Sequence, residues 1–215
     1  VATLWSTLSS NTLTIAEHVT WWLALGLILL FLPYFPYSKH AHLFMGPLNI
    51  MALEKRRSMA AIETIDFEDE ELDQFGAAQI QHLPQTQLLD GYACIQCSRC
   101  QDACPAYETG KELSPSALEI NKRYFINDNI STIANGESID KALTDWMLTE
   151  EAAWSCTTCG YCVEVCPVGN EPMIDILRAR QNLVMMESNF PQDAMETFEK
   201  MENYGNPWGL SPQDR

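Results

Sequence analysis

Hydrophobic and polar positions fall into three unlike blocks along the chain. Residues 19–37, VTWWLALGLILLFLPYFPY, contain no charged side chain. At a helical rise of about 1.5 Å each they reach roughly 28 Å, the thickness of a hydrocarbon core. Trp21 and Trp22 at one end and Tyr34 and Tyr37 at the other resemble interfacial belts, and Pro33 and Pro36 mark the far end. The pattern predicts one transmembrane helix; a buried helix of a soluble protein is the alternative. Residues 43–89 alternate without a clear period and include the acidic run DFEDEELD at 66–73. That run is either a solvated face or a docking surface for a partner.

From residue 90 onward the apolar spacing is helical. Ser114-Pro115 is a helix start, with Ser as N-cap and Pro at the first helical position. The helix continues through ALEINKRYFIN, and Asn135-Gly136 marks a turn. Further helices are expected over about 137–153, over PMIDILRARQNLVMME after Glu171, and over QDAMETFEKMEN between Pro191 and Gly205. No alternating strand pattern stands out. The expected organisation is a membrane segment over 1–42, an acidic connector over 43–89, a helical domain over 90–187 and a C-terminal helix and tail over 188–215.

Charge narrows the function. The chain has 215 residues and a formal net charge of −16, which argues against a nucleic-acid partner. No Lys or Arg precedes residue 19, whereas Lys39, Lys55, Arg56 and Arg57 follow the span. The positive-inside rule therefore places residues 38 onward in the cytoplasm, with the chain in the cytoplasmic membrane. Thiols stay reduced there, so cysteines point to metal rather than to disulfides. The chain begins at Val1 with no recognisable signal peptide, and it reads as a piece of a longer protein.

All eight cysteines lie in two copies of one pattern, C-x2-C-x2-C-x3-C-P, namely CIQCSRCQDACP at 94–105 and CTTCGYCVEVCP at 156–167. This is the bacterial pattern for cubane iron–sulfur clusters, in which the fourth cysteine serves the neighbouring cluster. The spacing thus assigns one [4Fe-4S] cluster to Cys94, Cys97, Cys100 and Cys166. The other falls to Cys156, Cys159, Cys162 and Cys104. Zinc, the alternative, closes a tetrahedron from two C-x2-C pairs and leaves the third cysteine of each copy unexplained. Gly160, and Ser98 at the matching place, are small enough to let backbone approach inorganic sulfide. Pro105 and Pro167 stop each loop from continuing as helix. The 51 residues between Cys104 and Cys156 leave room for helices, so the domain is expected to be a helical ferredoxin. The chain has no GxGxxG opening a helix and no P-loop, and the expected role is electron transfer rather than bond chemistry. A purely structural use of the clusters as folding staples is a further alternative.

Two stretches carry a family resemblance. LLDGYACIQCSRCQDACPAYETGKELSP at 88–115 resembles the first cluster loop of membrane-bound iron–sulfur oxidoreductases related to heterodisulfide reductase. LPYFPYSKHAHLFMGPLNI at 32–50 is similar to the end of their cytochrome-b-like membrane domain. The narrowest resemblance is to the branch linked to electron-transfer flavoproteins. It implies a path from a flavoprotein or thiol donor through two clusters to membrane haem b and quinone, in either direction. It also implies a haem- or quinone-binding membrane subunit, or further helices, as partner. Axial haem b ligands would then be sought at His18, before the span, and at His40 and His42, after it; the alternative is that these are ordinary interfacial histidines. Family members carry several membrane helices and often a C-terminal domain with CCG motifs, neither of which is in this sequence. A different reading of the cysteine pattern alone is the iron–sulfur subunit of a soluble flavin-dependent 2-hydroxy-acid oxidase.

Overall fold

The computed structural model describes residues 9–52, 65–68, 73–211 and 213. Lys55, Arg56 and Arg57, on which the orientation argument leans, and residues 69–72 of the acidic run lie outside the described residues. Among those described there are helices and turns and no strand.

Helix α1 (Ser10–Tyr34) begins where Ser9, in an extended conformation, accepts the backbone N–H of Thr12 at 3.3 Å. Together with the turn after it, α1 is long and apolar enough to cross a membrane, and none of its apolar window is buried. That favours the span over the alternative of a buried core helix, which would hide side chains such as Trp21, Trp22 and Leu27 to Leu32 that α1 leaves exposed. Two 3-10 turns, Phe35–Tyr37 and Lys39–Ala41, then redirect the chain. Buried Ser38 joins them: its Oγ donates to the Phe35 carbonyl at 2.9 Å and accepts the His40 N–H at 3.2 Å.

Helix α2 (His42–Ala52) lies in the stretch read as connector. Its face is inverted relative to a soluble helix. Gly46 and Asn49 are buried against the rest of the protein, while Leu43, Phe44, Leu48, Ile50 and Met51 are exposed. After residue 73 the chain packs at once. Gly76 has a φ of +72° and lies so close to a later helix that a Cβ would stand 2.3 Å from the Arg178 carbonyl oxygen. Only glycine fits there. Ala77, Ile80 and Leu83 are buried.

Helices α3 (Gln85–Ala93), α4 (Arg99–Asp102), α5 (Pro105–Glu108), α6 (Pro115–Asp128) and α7 (Ile130–Ala134) surround the first cysteine motif. The predicted start of α6 holds: the Ser114 side chain accepts the Ala117 N–H at 3.1 Å and Pro115 follows. The helix predicted over 137–153 is replaced by a shorter arrangement. Asn135-Gly136 turns the chain with Gly136 at φ +74°, and a 3-10 turn covers Leu143–Asp145. Helix α8 (Glu150–Ser155) starts only after a Thr149 cap. The cause is tertiary. The Leu143 N–H bonds to the Ala78 carbonyl at 2.8 Å, Asp140 accepts from Gln79, and Leu143 is inserted in the core. A straight helix could not satisfy those partners.

Helices α9 (Tyr161–Glu164), α10 (Pro172–Met185) and α11 (Met195–Tyr204) complete the described chain. Gly205 closes α11 at φ +66°, as its place in the sequence predicts. The core joins Leu83, Leu113, Leu118, Leu143, Met147, Leu148, Ala153, Ile176 and Leu183 between the two cysteine motifs. Cys104 belongs to this core and Cys156 packs against it.

Candidate metal centre

The two cysteine loops share one backbone solution. Each begins where a helix ends, α3 at Cys94 and α8 at Cys156. Two residues on, the chain takes a left-handed conformation, at Gln96 (φ 56°) and at Thr158 (φ 53°). It does so again at Ser98 (φ 61°) and Gly160 (φ 74°), which cap the four-residue helices α4 and α9. Three of these four residues are not glycine, and Thr158 is β-branched, for which this region is sterically costly. Such strain persists where the surroundings over-determine it, most often at functional sites.

The thiols group across the loops. Burial first, and then the neighbouring Cys166 and Glu119, push Cys94 up to about 11, while the Gln96 N–H and Arg123 oppose the shift. Burial with Cys94 and Cys166 pushes Cys100 up to about 12. In the second set, burial with Cys156, Cys159 and Cys104 pushes Cys162 up to about 12. Burial also raises Cys156, with Cys104 and Cys159 as its thiol neighbours. Cys166 thus acts on thiols of the first loop and Cys104 on thiols of the second, and Cys162 also acts on Cys100. Cys97 and Cys159, the middle cysteine of each triplet, are exposed. Backbone N–H groups turn toward the sulfurs: Thr158 donates to Cys156 Sγ at 3.4 Å and Asn170 to Cys166 Sγ at 3.3 Å. Among the described residues no three or more Cys, His, Asp or Glu side chains converge as ligands of a single ion must.

Around the first set lies a buried ionic network that the sequence reading missed. Lys122 has no exposed surface. It reaches the Asp175 carboxylate at 2.5 Å, Glu119 at 3.0 Å and the Gln87 carbonyl at 2.8 Å. Burial alone would lower the Lys122 pKa, but Asp175, Glu119 and Asp90 outweigh it and raise the pKa. Burial pushes Asp90 up to about 6 and Glu119 well above the usual carboxylate range. Next to them Arg123 is buried, and its Nε and Nη1 have no acceptor. A signal was available: Glu119, Lys122 and Arg123 occupy the helical phase set by Leu118 and Ile126, where an apolar face would continue.

The second set has a different support. Arg180 of α10 donates through Nε to the Ala153 carbonyl at 2.8 Å and through Nη2 to the Cys156 carbonyl at 2.5 Å. Its guanidinium lies 5.2 Å from the centre of the Trp154 ring. It therefore ties down the end of α8 just where the second loop begins.

The three histidines singled out in the sequence are not gathered with the cysteines. His18 Nδ1 lies 2.8 Å from the Thr14 carbonyl oxygen and His42 Nδ1 lies 2.5 Å from that of Lys39. A carbonyl only accepts, so both Nδ1 atoms donate, and in the neutral imidazole Nε2 is then the atom with a free lone pair. His40 Nδ1 lies 3.1 Å from Ser38 Oγ.

Comparison with known proteins agrees with this picture. Residues 90–170 match the 4Fe-4S dicluster domain. The chain is 35% identical to a probable iron–sulfur-binding oxidoreductase, FadF, of Bacillus subtilis, with 92% of this chain and 32% of that protein aligned. It is 29% identical to the EtfAB:quinone oxidoreductase of Syntrophomonas wolfei, over 97% of this chain and 32% of that protein. It is 28% identical to a probable membrane-anchored ferredoxin of Chromohalobacter salexigens, over 60% of this chain and 22% of that protein. The chain spans about a third of the length of the first two relatives. No solved structure matches it. The chain is therefore a homologue of the iron–sulfur oxidoreductases linked to electron-transfer flavoproteins, with a 4Fe-4S dicluster domain at residues 90–170.

Proposed function

We propose that this chain is the electron-relay part of a membrane-bound, quinone-linked oxidoreductase, and that its eight cysteines hold two [4Fe-4S] clusters with crossed ligands. Cys94, Cys97, Cys100 and Cys166 hold one; Cys156, Cys159, Cys162 and Cys104 hold the other. When bound, each cluster accepts and gives up one electron at a time. The observation that carries the reading is that Cys104 of the first loop and Cys156 of the second meet at one buried core, with Cys166 acting on Cys94 and Cys100 and Cys104 acting on Cys156 and Cys162.

The residues present fit such groups. Buried Arg123, whose Nε and Nη1 lack an acceptor, acts on Cys94 of the first thiol set, and its positive charge suits a sulfur-rich anion. The strained left-handed residues turn N–H groups toward Cys156 and Cys94, and the segment after Cys166 does the same for that sulfur. Such hydrogen bonds stabilise thiolate charge and set the potential. The core between the loops keeps water from the inner cysteines.

The partner classes follow from the relatives and the apolar helix. The donor is a flavoprotein on the side of the cluster domain, which we place in the cytoplasm, and the acceptor is membrane quinone, directly or through haem b; the flow can also run in reverse. His18 and His42 present Nε2 lone pairs suited to axial ligation. Anaerobically purified full-length protein should contain about eight irons and about eight labile sulfides per chain. Its reduced form should show the split electron-paramagnetic spectrum of two interacting clusters. Material with about one zinc per loop and no labile sulfide would refute the reading.

A further inference from the structure

Asn49 is nearly fully buried, although it sits on the first helix beyond the membrane-type span. Its Nδ2 donates to Asp90 Oδ1 at 2.7 Å and to the Val168 carbonyl at 3.2 Å, and lies 3.5 Å from Asn170 Oδ1. Its Oδ1 has no partner, so the residue is held through Nδ2 alone. The two segments it joins are far apart in sequence. Asp90 is the last-turn residue of α3 whose carbonyl accepts the Cys94 N–H at 2.9 Å. Val168 and Asn170 belong to the segment that follows Cys166, and the Asn170 N–H bonds to Cys166 Sγ.

Asp90 closes the circuit. Its Oδ2 accepts the Glu171 N–H at 3.1 Å, and its carbonyl accepts from Asn170 Nδ2 at 2.6 Å. Three residues before Asn49, Gly46 rests on Val168, where an added Cβ would stand 3.4 Å from Val168 Cγ1. A second tie lies nearby: Asn127 accepts from Tyr92 Oη at 2.6 Å and donates to the Tyr37 carbonyl at 3.2 Å. All these contacts reach chain that flanks Cys94 or Cys166. The second thiol set is held from α10 through Arg180 instead.

We propose that Asn49 is a positioning residue that registers the post-span helix α2 against both segments holding the Cys94/Cys166 cluster, and not against the other cluster. The inference rests on the two-cluster reading above. Movement of the membrane segment is thereby transmitted to the N–H···S bond at Cys166. Hydrogen bonds to cluster sulfur favour the reduced, more negative state, so loosening this one lowers the potential of that cluster alone.

The test uses the full chain, purified anaerobically in detergent. Iron and labile sulfide of the unaltered protein check the two-cluster reading by themselves. Cys97→Ser then marks which paramagnetic signal belongs to the first cluster. In a redox titration, Asn49→Leu should shift the midpoint of the marked cluster downward and leave the other in place. Gly46→Val, which presses on Val168 from the same helix, should move the same midpoint, whereas Gly46→Ala, which the space admits, should move neither. If Asn49→Leu loses its iron, the Gly46 pair decides. A shift confined to the unmarked cluster, an equal shift of both, or no shift in a fully loaded protein overturns the inference.

Discussion

The two cysteine loops are alike in backbone and unlike in surroundings. Both begin at a helix end, pass twice through left-handed conformations and carry an exposed middle cysteine. Yet the first lies beside buried Asp90, Glu119, Lys122, Arg123 and Asp175, while the second is braced by a partly buried Arg180 over Trp154. The shared part is what ligand geometry demands, since any chain wrapping a cubane with this spacing must bend in the same places. The unshared part is free to vary, and it makes two chemically similar sites inequivalent in anchoring and in field.

The strongest way to break the comparison is to remove the charge that holds the first side together. Lys122→Met takes the ammonium away from buried Asp175 and Glu119 and leaves Asp175 with only the weaker influence of Arg178. Removing one partner of a buried pair costs about 3–5 kcal/mol, because the remaining charge is stranded. The expected result is a large fall in melting temperature of the loaded protein. Adding Asp175→Asn to Lys122→Met should recover part of the loss. If Lys122→Met melts like the unaltered protein, the network contributes nothing and the asymmetry is only apparent.

On the other side, Arg180→Leu keeps most of the bulk and removes two charge-assisted hydrogen bonds to the Ala153 and Cys156 carbonyls. The expected cost is about 2 kcal/mol, smaller than at Lys122 because Arg180 is partly solvated. The lost positive charge should also lower the midpoint of the second cluster and spare the first. A redox titration with each signal followed separately reads this. Equal movement of both midpoints would mean that the two environments are not electrically distinct.

These residues show what the sequence made legible and what it did not. The cysteine pattern predicts the loops because ligand spacing is a local property. Ser114-Pro115 and Gly205 predict helix ends for the same reason. Length and lack of charge mark α1. The helix expected over 137–153 fails because Leu143 and Asp140 answer to residues some sixty positions away, which no local period records. Asn49 was invisible for a similar reason. A lone Asn beside Pro47 in an apolar stretch reads as nothing until Asp90 and Val168 are brought to it. Lys122 and Arg123 have no role in the sequence reading, although their helical phase is that of the core.

The finest difference between the loops is a single pair of residues. The first loop has Gln96 and Ser98 in its left-handed positions, and the second has Thr158 and Gly160. A β-branched residue is the poorest of these choices, and its cost in this region is roughly 1–2 kcal/mol. Glycine relieves it but loses about 0.5–1 kcal/mol in chain entropy. Thr158→Gly should therefore raise stability by up to about 1 kcal/mol, while the N–H that reaches Cys156 Sγ stays in place. Gly160→Ser rebuilds the first loop's choice in the second and should cost about 1 kcal/mol or less, because Ser98 already lives at φ 61°. Both variants should load the same iron as the parent protein. If Gly160→Ser loses iron, the second loop needs a closer backbone approach to its cluster than the first. The two loops would then differ at the ligand itself and not only in what surrounds it.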